Sequence, residues 1–531
     1  MTTLNHPTLG QIHGKLTSGV AQYFGIKYAS LKHRFGVPEL YNGSRSSGVT
    51  VADKLGPGVI GIPDGCQTEY ALIQQRLPVP DFPPQSDTEG LNLTVTVPEG
   101  FGNKKLPVFV FIHGGALAMG SSSWPQYDHA AFVRRSAELG LPVIGVNINY
   151  RTGIFGFLTS EELRNAGFKA NNGLRDQKVA FQWVKKYISG FNGDPDQITA
   201  IGQSAGGVSA TLQLQTEEGL FHRLVDLAGT SLLLRPLPLL VHELFYQGFC
   251  EAQGLGSLSG DERIRAIEKL DSKELFLKVP PSIPSLPALD YDYLHNSLTF
   301  KDAESWSSGK NTAVPGLQWC KELLIGDCQF DGNIYQLALG HRQAGIAKQF
   351  QASLKRNIPS KDAEIDKLLE KYGISTAPSD QLAYQAVLEL GNDICFYLPE
   401  ETIARNWPGT TYVYHLNEPN PWDGPFKGHS THIFDVALLF KNFDHELDDP
   451  ARTVGQAFGD NIIKFINNEK PWQATTAERP VALVYGGQAG PGELVEDKPE
   501  NVGRRETIFE FRTTIGFDTL HEAFTAFLGG R

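Results

Sequence analysis

A chain of 531 residues, 41% hydrophobic and 20% charged, is long enough to bury a sizeable core and is ordinary for a globular enzyme. Its formal net charge of -12, with no long run of Lys or Arg, argues against a nucleic-acid partner or an anionic-membrane surface, since both need a concentrated basic patch. No basic segment followed by an apolar one opens the chain and no uncharged apolar run reaches about 18 residues, so the expectation is a soluble, cytoplasmic protein.

The first hundred residues read as short strands and loops, among them "VAQYFGIKYA" and "LNLTVTVP". Then "LPVFVFIHGG" and "LPVIGVNINY" form nearly continuous apolar runs separated by the helical "WPQYDHAAFVRRSAELG". Strands apolar on both faces with helices between them predict a parallel sheet covered on both sides. In "NNGLRDQKVAFQWVKKYISGFNG", Leu174, Phe181, Val184 and Ile188 fall on one helical face, and "ITAIG" follows as the next strand. Residues 235–310 and 336–400 carry helical patterns, such as "DERIRAIEKL" and "DAEIDKLLEKYG", and are expected as insertions over the sheet. The strands resume at "TTYVYHL" and "RPVALVYG". No repeat or linker splits the chain, so one domain over 1–531 is expected, with a small β region over about 1–100.

Five cysteines, Cys66, Cys250, Cys320, Cys328 and Cys395, are scattered without metal-ligand spacing, and an odd number cannot all pair internally. A reducing compartment fits, and no metal or organic cofactor is implied. Two sequons, at Asn42 and Asn92, matter only in a secretory pathway.

The chemistry gathers at "ITAIGQSAGGVSA". A serine between glycines two residues away on each side, after a strand and before a helix, is a nucleophile elbow, a turn so tight that side chains at the glycine positions would strike neighbouring backbone. It presents the Ser204 hydroxyl above the sheet edge. It also leaves the amide of Ala205 at a helix start, where an oxyanion is favoured. A lone serine is inert at neutral pH, so a base, an orienting acid and further oxyanion donors are required. "IHGGALAMG" offers the amides of Gly114 and Gly115 directly after a buried strand.

These residues resemble the type-B carboxylesterase and cholinesterase family of α/β-hydrolases, particularly its intracellular microbial or fungal-type carboxylesterases. "GQSAGG", "IHGG", "FGIKYASLKHRFGVPEL", the stretch from "NNGLRD" to the serine, and "GLFHRLVDLAGTS" carry the likeness, which is densest over 106–230. The resemblance implies an α/β-hydrolase fold: a mostly parallel central sheet, helices on both faces and helical insertions walling the site. It also implies a triad in the order serine, acid, histidine. Asp331-Gly332 in "LLIGDCQFDGNIY" matches the family's acid-glycine pair, with Asp327 as the alternative; the family more often has Glu there. His432 in "KGHSTHIFDVALLF" has the family's spacing to Asp435 and Phe440, ahead of His429, while His415 reads as a core histidine within a strand.

The implied reaction is hydrolysis of a small-molecule ester through an acyl-enzyme, with Ser204 as nucleophile, His432 as base, Asp331 as orienter and Gly114, Gly115 and Ala205 as the oxyanion hole. The same triad would serve an acyltransferase or a product-releasing or cyclising enzyme of secondary metabolism, and some relatives are non-catalytic binding modules, which normally lack a triad member. Cholinesterases carry an acidic residue before the nucleophile; Gln203 stands here and makes a cationic choline ester an unfavourable substrate. The family's "EDCL" appears as "TEGLNLTV", with Gly90 opposite Cys66, so that disulfide cannot form. Met119, Trp124, Gln203, Trp422 and Phe426 are candidate pocket residues. A base of ordinary pKa would give activity that falls as pH drops through roughly 6 to 7. Acyl and alcohol specificity and oligomeric state are open at this level.

Overall fold

The strand Leu106–Ile112 explains why its sequence is apolar without alternation. Val108, Val110 and Ile112 point into one core and Phe109 and Phe111 into another, so both faces are buried. The computed structural model describes residues 1–43, 48–102, 104–308 and 313–531. Among these, thirteen strands form the main sheet: β1 Thr2–His6, β2 Gly10–Thr17, β3 Val20–Lys27, β4 Thr50–Ala52, β5 Asn92–Pro98, β6 Leu106–Ile112, β7 Ile144–Ile148, β8 Gly193–Gln203, β9 Arg223–Leu227, β10 Glu322–Cys328, β11 Thr410–Leu416, β12 Val481–Tyr485 and β13 Glu493–Glu496.

Their order is β1-β2-β3-β5-β7-β6-β8-β9-β10-β11-β12-β13, with β4 paired to β2. Neighbours from β7 through β12 are parallel. The chain order reverses at β6, and sites in such sheets form beyond the carboxyl ends of the strands near that reversal. The N-terminal β region is not a separate unit: β3 pairs antiparallel with β5, and β5 with β7, so it extends the central sheet.

Helices cover both faces, among them α1 Gly65–Ile73, α2 Ala130–Glu138, α3 Asn172–Tyr187, α4 Ala205–Gln213, α5 Leu398–Asn406 and α6 Asp449–Ile466. Helix α3 buries Leu174, Phe181 and Val184 as its periodicity predicts, and Ile188 continues the same buried face in the turn that follows. Its Asp176 forms a buried bidentate pair with Arg151 (Nη2–Oδ1 2.7 Å, Nε–Oδ2 2.8 Å), which locks the helix to the chain leaving β7. The expected insertions are helical. Leu239–Ala252, Gly260–Lys269, Ser272–Leu277 and Phe300–Glu304 fall in the first, and Ile346–Asn357, Asp362–Lys371 and Asp380–Asn392 in the second; residues 309–310 of the first lie outside the described residues. The Gly260–Lys269 helix starts at a reciprocal cap, with Ser259 and Glu262 bonded to each other's backbone.

The five cysteines are all unpaired and buried. Cys66 has no disulfide, and position 90 has no room for a side chain, since a Cβ there would lie 2.9 Å from the Val59 backbone. The Asn92 sequon is closed as well: the side chain is 4% exposed and its Nδ2 donates to Pro57 O at 2.7 Å. Ser44 of the Asn42 sequon lies outside the described residues.

Candidate active site

Strand β8 ends at Gln203, where Gly202 pairs with Ile112 on one side and Asp226 on the other. The chain then reverses into α4 within one residue. A Cβ on Gly202 would strike the Gly206 carbonyl and one on Gly206 would strike the carbonyl of Ile112, so both glycines are required by close approach. Ser204 takes φ 54°, ψ −125°, a strained conformation held by its backbone N–H donating to Leu227 O at 2.8 Å and by the start of α4. The serine is 9% exposed, and Ala205 opens the helix beside it.

The loop after β6 lies against the elbow. A Cβ on Gly114 would sit 3.0 Å from Ser204 Cβ and 2.5 Å from Gln203 Oε1, so only glycine brings the backbone this near. Gly115, Ala116 and Leu117 run with positive φ (100°, 53°, 60°), and the turn is closed by Met119 N donating to Gly115 O at 3.1 Å. His113 supports it from below: the ring stacks on Tyr150 at 4.4 Å, and Tyr150 OH donates to His113 O at 2.8 Å. Burial pushes the His113 imidazole down to about 4, so it stands neutral.

The candidate acid and the candidate base come from neighbouring strand ends. Asp331 follows β10 and His432 follows β11, and their loops are joined by a parallel bridge between Phe330 and Thr431, with Phe330 N donating to Ser430 O at 2.8 Å. His432 Nδ1 lies 2.7 Å from Asp331 Oδ1. Asp331 Oδ2 accepts Cys328 N at 2.8 Å, and Asn333 Oδ1 accepts His432 N at 2.8 Å. Ile433, with φ 73°, turns the chain immediately after the base. With its Nδ1 proton directed at Asp331, the ring leaves Nε2 as an acceptor, and Gln203 Nε2 stands 3.3 Å from that atom. His432 and Asp331 are both buried; burial pushes the imidazole down to about 4, which keeps it in the neutral form a base requires. Burial first, then the Asp331 charge, raises Asp435 to about 7, and Tyr414 OH donates to its Oδ2 at 3.0 Å.

The alternatives from the sequence are accounted for. Asp327 pairs with Arg504 (Nη2 2.6 Å, Nε 2.9 Å) and His415 Nδ1 (2.7 Å), and against its burial these partners hold the carboxyl down to about 2. His415 is the buried strand histidine expected, while half-buried His429 packs on the Phe330 ring at 5.2 Å.

Of the candidate pocket residues, Gln203 meets His432 and Met119 closes the turn at Gly115. Trp124 lines two cavities of about 600 and 300 Å³, neither of which is lined by Ser204 or His432. Trp422 serves packing instead: it lies against Phe434 and Phe443, and its Nε1 donates to Glu446 O at 2.9 Å. Phe426 packs on Phe330 at 5.5 Å and its amide donates to Gln74 Oε1 at 2.8 Å, so it buttresses the acid-base loops.

Three supporting residues escaped the sequence reading. Asn333 and Tyr150 carry no local signal. Phe396, whose ring lies 5.2 Å from that of His432, sits in a π-helical turn, Asp393–Tyr397, that interrupts a regular helical pattern.

The carboxylesterase family matches residues 2–484. The chain is 36% identical over 528 residues to para-nitrobenzyl esterase of Bacillus subtilis, spanning 94% of this chain and 96% of that protein. It is 27% identical over 479 residues to Lipase 3 of Yarrowia lipolytica, spanning 85% and 86% of the two chains. Among solved structures, a thermophilic PNB esterase superposes with a TM-score of 0.73 at 22% identity, covering 95% of this chain and 99% of the other. The Geobacillus stearothermophilus carboxylesterase superposes with 0.71 at 23% identity and the same coverage. At that identity these two structures speak to the fold.

Proposed function

This chain belongs to the carboxylesterase family and is a carboxylic ester hydrolase, and from that premise we propose that Ser204, His432 and Asp331 carry the reaction on small neutral esters. The observation that bears most weight is the 2.7 Å contact of His432 Nδ1 with Asp331 beside a serine on a strained elbow. Ser204 Oγ forms a bond to the ester carbonyl carbon while His432 Nε2 takes its proton. The negative charge on the carbonyl oxygen is met by the amides of Gly114, Gly115 and Ala205. Collapse breaks the bond to the leaving oxygen, which receives the proton from Nε2. Water then repeats the sequence on the acyl-enzyme, releasing the acid and restoring Ser204.

Gln203 supports a neutral substrate, since it sets no charge beside the base. The relative named for para-nitrobenzyl esters makes these the first members of a substrate panel varied separately in acyl length and alcohol bulk. The buried, unpaired state of all five cysteines supports a reducing, cytoplasmic setting, and among the described residues no helix is long and apolar enough to cross a membrane.

A serine-reactive organophosphonate tests the nucleophile. One label per chain at Ser204, with loss of hydrolysis in step, is expected, and Ser204→Ala should take none. Labelling at another serine with full loss of activity would overturn the assignment.

A further inference from the structure

On the far side of Asp327 from the triad acid, three buried side chains turn toward one another. His415 on β11, Glu401 on α5 and Asp497 just after β13 each offer a ligand atom within 4.8 Å of the other two. Neither His415 Nε2, Asp497 Oδ1 nor Glu401 Oε1 makes a hydrogen bond among the described residues. The oxygen of Asp497 stands 3.6 Å from His415 Nε2, too far to bond it.

Arg504 balances Asp327, and Arg405 Nε, on a half-exposed side chain, lies 2.6 Å from Glu401 Oε2. Asp497 and Glu401 bring two buried carboxyl groups to within 4.8 Å of each other and of the imidazole, a like-charge pair that a cation placed between them would relieve. The imidazole is already oriented for a ligand. Its Nδ1 is fixed on Asp327 Oδ1 at 2.7 Å, which leaves Nε2 directed at the two carboxylates, the carboxylate–histidine arrangement that orients metal-binding histidines.

We propose that Glu401, His415 and Asp497 bind one divalent transition-metal ion, of which zinc fits the ligand set best. One imidazole and two carboxylates without a thiolate suit the borderline first-row ions, and zinc lies above manganese, iron and cobalt in intrinsic affinity. Ligands at about 2.0–2.2 Å from zinc require the three atoms to close by roughly 1 Å from their present spread, which side-chain rotation supplies. The ion ties helix α5, strand β11 and the chain after β13 together. It is structural, since the proposed hydrolysis uses none of its ligands. The sequence gives no sign of it because the ligands lie far apart along the chain and share no short spacing.

The test uses the full-length protein, stripped with a chelator and titrated with Zn²⁺, and separately with Co²⁺ as a visible reporter. One site per chain, a higher unfolding temperature with Zn²⁺ and the visible absorption of low-coordinate Co²⁺ are expected, with ester hydrolysis unchanged. Glu401→Gln and Asp497→Asn should each abolish the Co²⁺ absorption, and Asp327→Asn should weaken binding about 10- to 100-fold by freeing the imidazole. Absence of binding, or equal affinity in both ligand variants, overturns the proposal. Should the variants fail to fold, anomalous diffraction at the zinc edge from wild-type crystals decides: a peak among the three side chains upholds the site, and a peak elsewhere or none removes it.

Discussion

Gln203 Nε2 lies 3.3 Å from Nε2 of His432, the atom assigned to receive the serine proton. The residue before the nucleophile therefore sets a neutral dipole against the base where a carboxylate would set a charge. Gln203→Glu should raise the histidine pKa by about 1 unit or more, because a nearby negative charge favours imidazolium. The acid limb of kcat/KM should move up in pH accordingly. A choline ester should also gain on its neutral isostere, whereas the wild type should show no preference for the cation. An unmoved acid limb in the variant would mean that residue 203 faces away from the base in solution.

Burial holds His432 near 4, so the acid limb of the wild type should lie below the ordinary histidine range of roughly 6 to 7. For a neutral ester, kcat/KM should stay level through pH 6 and decline only as pH falls toward about 4, where protonation removes the base. The same depression affects stability. Between about 6.5 and 4 the unfolded chain binds a proton that the folded chain refuses, so stability is lost as pH falls through that window. Circular dichroism recorded beside the kinetics separates the two effects. A limb at 6 to 7 in a folded protein would indicate a base that is solvated or held up by an ionised Asp331, 2.7 Å from Nδ1.

Asp331 and Asp327 lie four residues apart and should fail in different ways. Asp331→Asn should lower kcat by about 10⁴-fold with the fold retained, since the amide favours the wrong tautomer and cannot balance an imidazolium. Asp327→Asn leaves buried Arg504 without its partner and should cost about 3–5 kcal/mol of stability. Its kcat below the unfolding transition should stay within a fewfold of wild type. Chemical denaturation and steady-state kinetics on both variants distinguish these patterns, and an exchange of phenotypes would reverse the assignment of the acid.

The positive φ of Ser204 predicts an unusual order of stability. Glycine adopts that backbone freely while alanine does not, so Ser204→Gly should be at least as stable as Ser204→Ala, by an amount on the order of 1 kcal/mol, despite the greater entropy of unfolded glycine. Both should be inactive. A clearly more stable alanine variant would show that the elbow relaxes when the hydroxyl is gone.

The elbow at Ser204, its glycines and the loop at Gly114 and Gly115 are legible because each is fixed by its own few residues: a strand, a turn too tight for a Cβ, a helix start. That Asp331 and His432 meet is legible only through family spacing, since composition alone offers 14 histidines. What supports them is not. Arg504 reaches Asp327 across 177 residues, and Asn333 meets His432 across 99. Such pairs are chosen by tertiary packing, which leaves no periodic trace. The same holds for the β3–β5 pairing that merges the N-terminal strands with the main sheet, and for Trp422, whose aromatic character suits a pocket wall and a packed core equally.

The bridge between Phe330 and Thr431, with Asn333 holding the His432 amide, zips two loops from distant parts of the chain into one short ribbon. An engineer recombining this protein with a homologue therefore has to transplant residues 327–335 and 428–434 as a set. A crossover between them would mate half-ribbons of different register and leave a correctly folded chimera with a misaligned base.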